Sequence, residues 1–162
     1  MIVSSPLTLS HDPTNTTIMD AIWPLISNKE VLEVSQSYAG HSGSPFKQAD
    51  VTVRLAAANP AEVKKDMSVE EYASIAPLDT PAWQYFYKPM EWGGTKTAVL
   101  LMNHADAGAD LKLDFADVPG LACISCKVRD IWNHKDLGTF DSSYTAAALP
   151  SHDAAFLVLT PA

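Results

Sequence analysis

The chain has 162 residues, a net charge of −8 and a hydrophobic content of 47%, so it can form a core without cross-links. The acidic balance excludes nucleic-acid binding as an expected function, because an acidic surface repels phosphates. No apolar run approaches the ~18 residues of a membrane-spanning helix, and the N-terminus lacks the basic region of a signal peptide.

The first 45 residues predict one strand, two helices and a loop. Residues 1–9 form an apolar run that is typical of a strand buried on both faces. Capping oxygens at Asn15–Thr17 precede an apolar stripe at helical spacing, and Pro24 is expected to end or kink this first helix. A second short helix is predicted over 28–36, followed by a loop over 38–45.

The middle of the chain predicts a helical insertion between two strands. Apolar and polar residues alternate over 51–55, which indicates a strand. Residues 59–81 then contain two helix starts. Pro60 stands at a first helical position, and Ser68–Glu71 form a capping box.

From Trp83 onward the pattern is entirely β. Turns with Gly or Pro separate the candidate strands at short spacing, which favours an antiparallel β-sandwich over a βαβ sheet. The predicted strands are 83–89, 96–103, 110–115, 123–130, 143–149 and 153–159.

The two cysteines, Cys123 and Cys126, allow more than one interpretation. They lie in an apolar stretch typical of a strand, where positions i and i+3 are roughly 10 Å apart, whereas a disulfide needs Cα atoms within about 7 Å. Two buried free thiols and a bridge across a local turn both stay open, and an inert role is favoured over a redox motif. A zinc site is not expected, because no second Cys/His pair follows at zinc-finger spacing.

Three stretches carry motifs of one known family, in that family's order. Residues 2–12 read I-V-S-S-P-L-T-L-S-H-D, and residues 26–36 read I-S-N-K-E-V-L-E-V-S-Q. In the β-rich half, Lys88-Pro89-Met90 and 97–103 precede V-R-D-I-W-N-H-K-D-L-G at 128–138. These stretches resemble glycoside hydrolase family 27, the melibiase or α-galactosidase family. Residues 59–81 depart from the family pattern.

The resemblance implies a (β/α)₈ barrel followed by an antiparallel β-sandwich. Residues 1–46 would be the last strand–helix unit of the barrel, and residues 47–162 would be the sandwich with its helical insertion at 59–81. The chain is therefore expected to be mainly β. The family hydrolyses terminal α-galactosides with retention, using one Asp as nucleophile and another as general acid/base.

Catalytic residues are not assigned in this chain. The two family aspartates lie at the C-terminal ends of earlier barrel strands, and no position here matches either motif. The chain alone is therefore predicted to be inactive as a glycosidase. We expect no metal and no cofactor.

Three residues after the predicted barrel strand are candidate site residues. His11 and Asp12 follow its C-terminal end, where the resemblance implies substrate binding, so they are predicted at the barrel rim. The competing interpretation, a loop and helix N-cap, suits Asp12 before Pro13 well. Asn15-Thr16-Thr17 fits the N-glycosylation pattern, which makes Asn15 a candidate site and agrees with a secreted or lysosome-like origin.

Other polar and aromatic residues have simpler structural interpretations. Asp130 and Asp136 flank a predicted turn and are assigned to turn chemistry and surface hydrogen bonding. The histidines at 104, 134 and 152 are assigned to loop hydrogen bonds. A group of aromatic residues fits a core or domain interface better than sugar stacking. Its members are Trp83, Tyr85, Phe86, Tyr87 and Trp92.

Two functional hypotheses follow. In the first, the chain is the C-terminal portion of an α-galactosidase-type glycosidase. Its apolar N-terminal segment would bind a chain that supplies the rest of the barrel, or would self-associate. In the second, it is a non-catalytic carbohydrate-binding or structural module derived from that family.

Overall fold

The computed structural model describes residues 2–5, 8–9, 12–54 and 79–162, which form two α-helices and ten strands. The helices are α1 (Thr16–Ile26) and α2 (Lys29–Gln36). The strands are β1 (Ser44–Gln48), β2 (Thr52–Arg54), β3 (Asp79–Pro81), β4 (Trp83–Pro89), β5 (Thr97–Asn103), β6 (Ala109–Asp114), β7 (Ser125–Asp130), β8 (Lys135–Asp141), β9 (Ser143–Leu149) and β10 (Ala154–Pro161). Within these ranges, neither helix is long and apolar enough to span a bilayer.

The strands form an antiparallel β-sandwich, as the turn spacing predicted. One sheet has six strands in the order β1-β4-β5-β10-β7-β8. Strands β6 and β9 pair with each other and cover the inner face of that sheet. Strands β2 and β3 form a separate two-stranded ladder. The fold is therefore mainly β, with the two helices preceding it.

The principal core lies between the six-stranded sheet and the β6–β9 pair. Its buried side chains alternate along the strands, as one face of a sandwich requires. They include Tyr85, Val99, Leu101, Leu111, Leu113, Val128, Leu157 and Leu159.

A second, smaller core lies on the outer face of the same sheet, beneath α2. Because both faces of the central strands are covered, β5 and β10 are apolar at successive positions rather than alternating. Val31 and Val34 of α2 are fully buried there. They share this core with Ile2, Met90, Ala98, Ile131, Phe156 and Val158.

Helix α1 has a different environment from α2. Its apolar stripe matches the prediction, yet no side chain of α1 is buried. Trp23 is 57% exposed and Leu25 is 51% exposed. Pro24 does not end the helix, because α1 continues to Ile26. A proline so near the C-terminus interrupts little of the helical hydrogen bonding.

The predicted strand over residues 1–9 is wrong for the part of it that the structure describes. Residues 2–5, 8 and 9 are turn and irregular chain. A barrel strand needs neighbouring strands to satisfy its backbone groups, and none lies beside these residues. Instead, the carbonyl oxygen of Ile2 lies 2.0 Å from where a Cβ of Gly43 would stand, so that close approach requires glycine.

Besides β3, which fell within the predicted insertion, two strands were not predicted, and both are edges of the six-stranded sheet. β1 lies partly within the predicted loop, and β8 follows the turn at residues 131–134. β1 contains Pro45, which only an edge strand accommodates easily. The boundary predicted between residues 46 and 47 falls within β1, and the division into two domains stays a prediction.

The predicted helical insertion lies almost wholly outside the described residues, in 55–78. Its last three residues, Asp79–Pro81, are β3 and pair with β2, so the helical interpretation is wrong at that end. The predicted strand at 51–55 is confirmed over Thr52–Arg54.

Cys123 and Cys126 form a disulfide, with their Cα atoms 5.6 Å apart. The geometric objection failed because β7 begins at Ser125, so Cys123 lies before the strand rather than in it. Of the two interpretations left open, the bridge across a local turn is confirmed. Both cysteines are buried.

Candidate functional site at the helix–sandwich junction

Of the three candidate residues after the predicted barrel strand, Asp12 and Asn15 are described and His11 is not. Asp12 is exposed, and its Oδ1 accepts hydrogen bonds from the Thr14 backbone N–H (2.9 Å) and hydroxyl (2.7 Å). These bonds lower the pKa of Asp12. The N-cap of α1 is Asn15, whose Oδ1 accepts from the N–H of Ile18 at 3.2 Å, so the cap interpretation of Asp12 is wrong. Substrate binding at His11 and Asp12 and glycosylation at Asn15 stay predictions.

The best-developed polar cluster lies where α2 meets the β7–β8 hairpin, and Asn28 is its buried member. Its Oδ1 accepts from the backbone N–H groups of Glu30 (3.1 Å) and Val31 (3.2 Å) and so caps α2. Its Nδ2 donates to the carbonyl oxygen of Ile131 at 2.8 Å. One side chain therefore starts the helix and joins it to the hairpin.

An ion network extends the same contact toward solvent. The guanidinium of Arg129 donates to both carboxylate oxygens of Glu30, at 2.6 and 2.8 Å, and to Asp136 at 2.8 Å. His134 Nδ1 lies 2.6 Å from Glu30 Oε1. The hydrogen bond from Arg129 is the main cause that lowers the pKa of Glu30 to about 2. A bidentate Arg–carboxylate pair fixes orientation as well as distance, so it sets how α2 lies on the hairpin.

Lys88 holds the other end of α2. It is fully buried, and its Nζ donates to the carbonyl oxygens of Val34 and, at 3.2 Å, Ser35. A cation at a helix C-terminus satisfies carbonyls that lack partners within the helix. Burial lowers the pKa of Lys88. Hydrogen bonds thus join both ends of α2 to the sandwich. The N-cap residue Asn28 bonds to Ile131, and Lys88 bonds to the C-terminal end of the helix.

A cleft of about 840 Å³ opens beside this junction, between the end of α1 and the sandwich. Trp132 and Tyr144 contribute half-buried aromatic surface, and His104 and Asp130 contribute polar groups. The pKa of His104 is lowered by burial and by the nearby His152. Asp130 accepts from Asn133 Nδ2 (2.8 Å) and from two backbone N–H groups, so the turn occupies its carboxylate. The cleft offers hydrogen bonding and stacking.

The remaining polar and aromatic predictions have mixed outcomes. The turn role of Asp130 is confirmed, and so is surface hydrogen bonding for Asp136, whose exposed carboxylate accepts from Arg129. Among the aromatic residues, Tyr85 is buried in the principal core, with burial raising its pKa to about 12. Trp92 is 74% exposed, so the core interpretation is wrong for it. No group of three potential metal ligands occurs among the residues that the structure covers.

The β-sandwich can be compared with known families. The profile described as the alpha galactosidase C-terminal beta sandwich domain matches residues 80–159, which include β4 to β9 and most of β10. Residues 80–159 therefore belong to this family. The chain as a whole corresponds to the C-terminal part of a protein similar to glycoside hydrolase family 27, as its motifs indicated.

Similar proteins act as different glycosidases. The isomalto-dextranase of Arthrobacter globiformis is 39% identical over 84 residues, which are 51% of this chain and 12% of that protein. The structure of the Arthrobacter globiformis T6 enzyme with panose matches with a TM-score of 0.59 and 26% identity, covering 99% of this chain and 22% of that one. Alpha-galactosidase I from Mortierella vinacea matches with a TM-score of 0.63 and 23% identity, over 99% of this chain and 33% of that one. The chain thus spans a third or less of these relatives.

The junction was missed in the sequence, although its residues stood in the quoted motifs. Asn28 and Glu30 belong to the N-K-E motif, Lys88 to the K-P-M motif, and Arg129 and His134 to the V-R-D motif. The motifs indicate the family, but they do not show which charged residues meet in the fold. The sequence did contain one signal for the junction. Glu30 and Arg129 carry opposite charges, and each stands next to apolar residues that are expected to be buried.

Proposed function

We propose that the chain is the C-terminal portion of an α-galactosidase-like glycoside hydrolase whose catalytic aspartates lie outside these 162 residues. The observation that carries the proposal is α1. It is an amphipathic helix with no buried side chain, next to an α-galactosidase C-terminal β-sandwich. Its apolar stripe, with Ile18, Trp23 and Leu25, is suited to covering a (β/α)₈ barrel.

The energetics favour a partner surface for this stripe. Fully burying one large apolar side chain stabilises a fold or complex by about 1.5–3 kcal/mol. Ile18, Trp23 and Leu25 are exposed in this chain, so a partner surface that covers them would gain this free energy. The junction supports the docking, because α1 ends at Ile26, two residues before the buried Asn28. α1 is therefore presented at an orientation that the α2 network sets. The partner surface would come from the rest of the same polypeptide or from a separate chain.

The reaction we propose for the assembled protein is retaining hydrolysis of terminal α-galactosides by two carboxylates of the barrel. Asp12 would lie at the rim, ionised, as a hydrogen-bond acceptor for a sugar hydroxyl, with His11 beside it. The isomalto-dextranase relative makes dextran a second substrate to assay. A secreted or endomembrane location is supported by the Cys123–Cys126 disulfide and the exposed Asn15 triplet.

The test combines the native and denatured mass of natural material with hydrolysis of p-nitrophenyl α-galactoside and dextran. We expect the 17.5 kDa chain alone to be inactive, and activity to accompany a longer chain or a tightly bound companion. If the companion is separate, Trp23→Asp should release it, whereas the matched control Val51→Asp, on another exposed apolar residue, should not.

Two results would contradict the proposal. Hydrolysis by the isolated chain would show that catalytic groups lie within it. Natural material that consists only of the 17.5 kDa chain, with no companion and no hydrolysis, would instead support a stand-alone, non-catalytic carbohydrate-binding or structural module.

A further inference from the structure

Two exposed aromatic side chains, neither of which belongs to α1, contact Gly40. Tyr38 is 65% exposed and Trp92 is 74% exposed. Tyr38 belongs to the loop after α2, and Trp92 belongs to the 3₁₀ turn between β4 and β5. Neither packs in a core, so neither exposure is explained by folding. We call Tyr38, Gly40 and Trp92 the aromatic platform.

Gly40 joins the two rings. A Cβ on Gly40 would stand 3.3 Å from Cζ3 and 3.4 Å from Cη2 of Trp92, so the indole lies close to this backbone. The hydroxyl of Tyr38 donates to the carbonyl oxygen of Gly40 at 2.7 Å. Gly40 has φ +100°, a conformation that disfavours any residue with a side chain. Gly40 therefore contacts both side chains, with the indole beside its α-carbon and the Tyr38 hydroxyl on its carbonyl oxygen.

The turn that carries Trp92 is held against the neighbouring loop. A Cβ on Gly94 would stand 1.8 Å from the carbonyl oxygen of Gly120, and the Gly94 carbonyl accepts from the N–H of Ala122 at 3.1 Å. Such close backbone contact restricts the turn. A binding surface that is ordered before its ligand arrives loses less entropy on binding.

A shallow depression of about 380 Å³ lies next to the aromatic platform and is lined by the residues that flank it in sequence, by the end of β4 and by Pro119 and Gly120. His41 and Glu91 contribute polar groups to it, and Tyr87 contributes part of its wall. The Tyr87 hydroxyl lies 3.2 Å from His41 Nε2, and Glu91 Oε2 accepts from the Thr95 hydroxyl at 3.1 Å. Aromatic surface beside a few oriented polar groups is typical of small-ligand sites.

We propose that the aromatic platform and this depression bind neutral hexopyranose units of a polysaccharide. A pyranose ring has an apolar C–H face that packs on an aromatic ring, and its hydroxyls can donate to the carboxylate of Glu91. The net charge of −8 and the carboxylate of Glu91 disfavour an anionic ligand. Two rings are too few for a protein interface, which buries about 1,600 Å². This role requires neither the barrel nor catalysis, so it goes beyond the proposed function.

The experiment is native affinity electrophoresis of the whole chain in gels that contain guar galactomannan or dextran, compared with a gel without polysaccharide. We expect at least one polysaccharide to retard the chain. Trp92→Ala should weaken binding by about tenfold or more, and Tyr38→Ala should weaken it less. Val51→Ala is the matched control, because that apolar side chain is 70% exposed and belongs to no segment that lines the depression, and we expect no change.

Folding is monitored by thermal unfolding of each variant. Trp92→Tyr keeps an aromatic ring and should retain partial binding, which distinguishes loss of the platform from loss of the fold. Absence of retardation of the unmodified chain in both gels would overturn the proposal, as would full retention by a folded Trp92→Ala variant. If Trp92→Ala released a protein companion and left sugar binding unchanged, the surface would be a protein interface instead. None of these results depends on hydrolysis, so they leave the proposed function unaffected.

Discussion

Substitution of Val31 by alanine tests whether α2 is an integral part of the sandwich. Val31 is fully buried between α2 and the outer face of the six-stranded sheet. The change removes two methyl groups, worth about 0.8 kcal/mol each in transfer free energy. The residual cavity adds to this, since helix and sheet are tied together by Asn28 and Lys88 and can close only partly. We expect the free energy of unfolding to fall by about 2–3 kcal/mol.

The assay is urea unfolding followed by tryptophan fluorescence and by circular dichroism, with linear extrapolation to water. For a slope of about 2–3 kcal/mol per molar urea, the midpoint should fall by about 1 M. Val51→Ala is the matched control, because the same two methyl groups are removed from a side chain that is 70% exposed. The control should change stability by less than about 0.5 kcal/mol. Equal, small effects of the two substitutions would refute the packing of α2 on the sheet.

Three further predictions concern the polar junction and the disulfide. The pKa of Glu30 is lowered from 4.5 to about 2, so its contribution to stability is fully present above pH 4.5 and is lost as the pH falls toward 2. Melting temperatures of Glu30→Gln should therefore depend less on pH in that window than those of the unmodified chain, and parallel curves would contradict the network. Asn28→Ala should cost about 1–3 kcal/mol in urea unfolding, because it removes a cap and a buried tertiary hydrogen bond. Asn15→Ala, which removes only the cap of α1, should cost less, and the reverse order would be inconsistent with the junction. Without reduction, mass spectrometry of the denatured chain after alkylation should show no modified cysteine, and replacing Cys123 and Cys126 by serine should cost about 2 kcal/mol, the loop-closure value for so short a loop.

The sheet interior was predictable from sequence because its pattern is dictated by burial. β4 and β9 were predicted with their observed bounds, and β5, β6, β7 and β10 within one or two residues at each end. These strands contribute to the principal core, so apolar residues alternate along β6 and occupy successive positions of β5 and β10, and both patterns are typical of strands. Two of the strands that were not predicted, β1 and β8, are edges of the six-stranded sheet, where only one neighbour is present and the apolar pattern is weak.

The candidate site could be predicted less well, because it depends on which distant residues meet. Glu30 and Arg129 are 99 positions apart, and His134 joins them only because a turn reverses the chain after β7. Taken singly, neither motif indicates a partner for its charged residues. Only the tertiary structure shows that Glu30, Arg129 and His134 meet and hold α2 on the β7–β8 hairpin.

By itself the sequence determined the family, the β-sandwich and the amphipathic character of both helices, since composition, turn spacing and apolar periodicity are local properties. Only the tertiary structure decided which apolar faces are covered. It placed α2 on the sheet and left the stripe of α1 exposed. Because β7 begins two residues later than predicted, Cys123 and Cys126 can form a disulfide. Tyr38 and Trp92, which are far apart in the chain, both contact Gly40. Such outcomes depend on contacts between residues far apart in the chain, because a side chain's burial is set by whatever surface reaches it and not by its own neighbours.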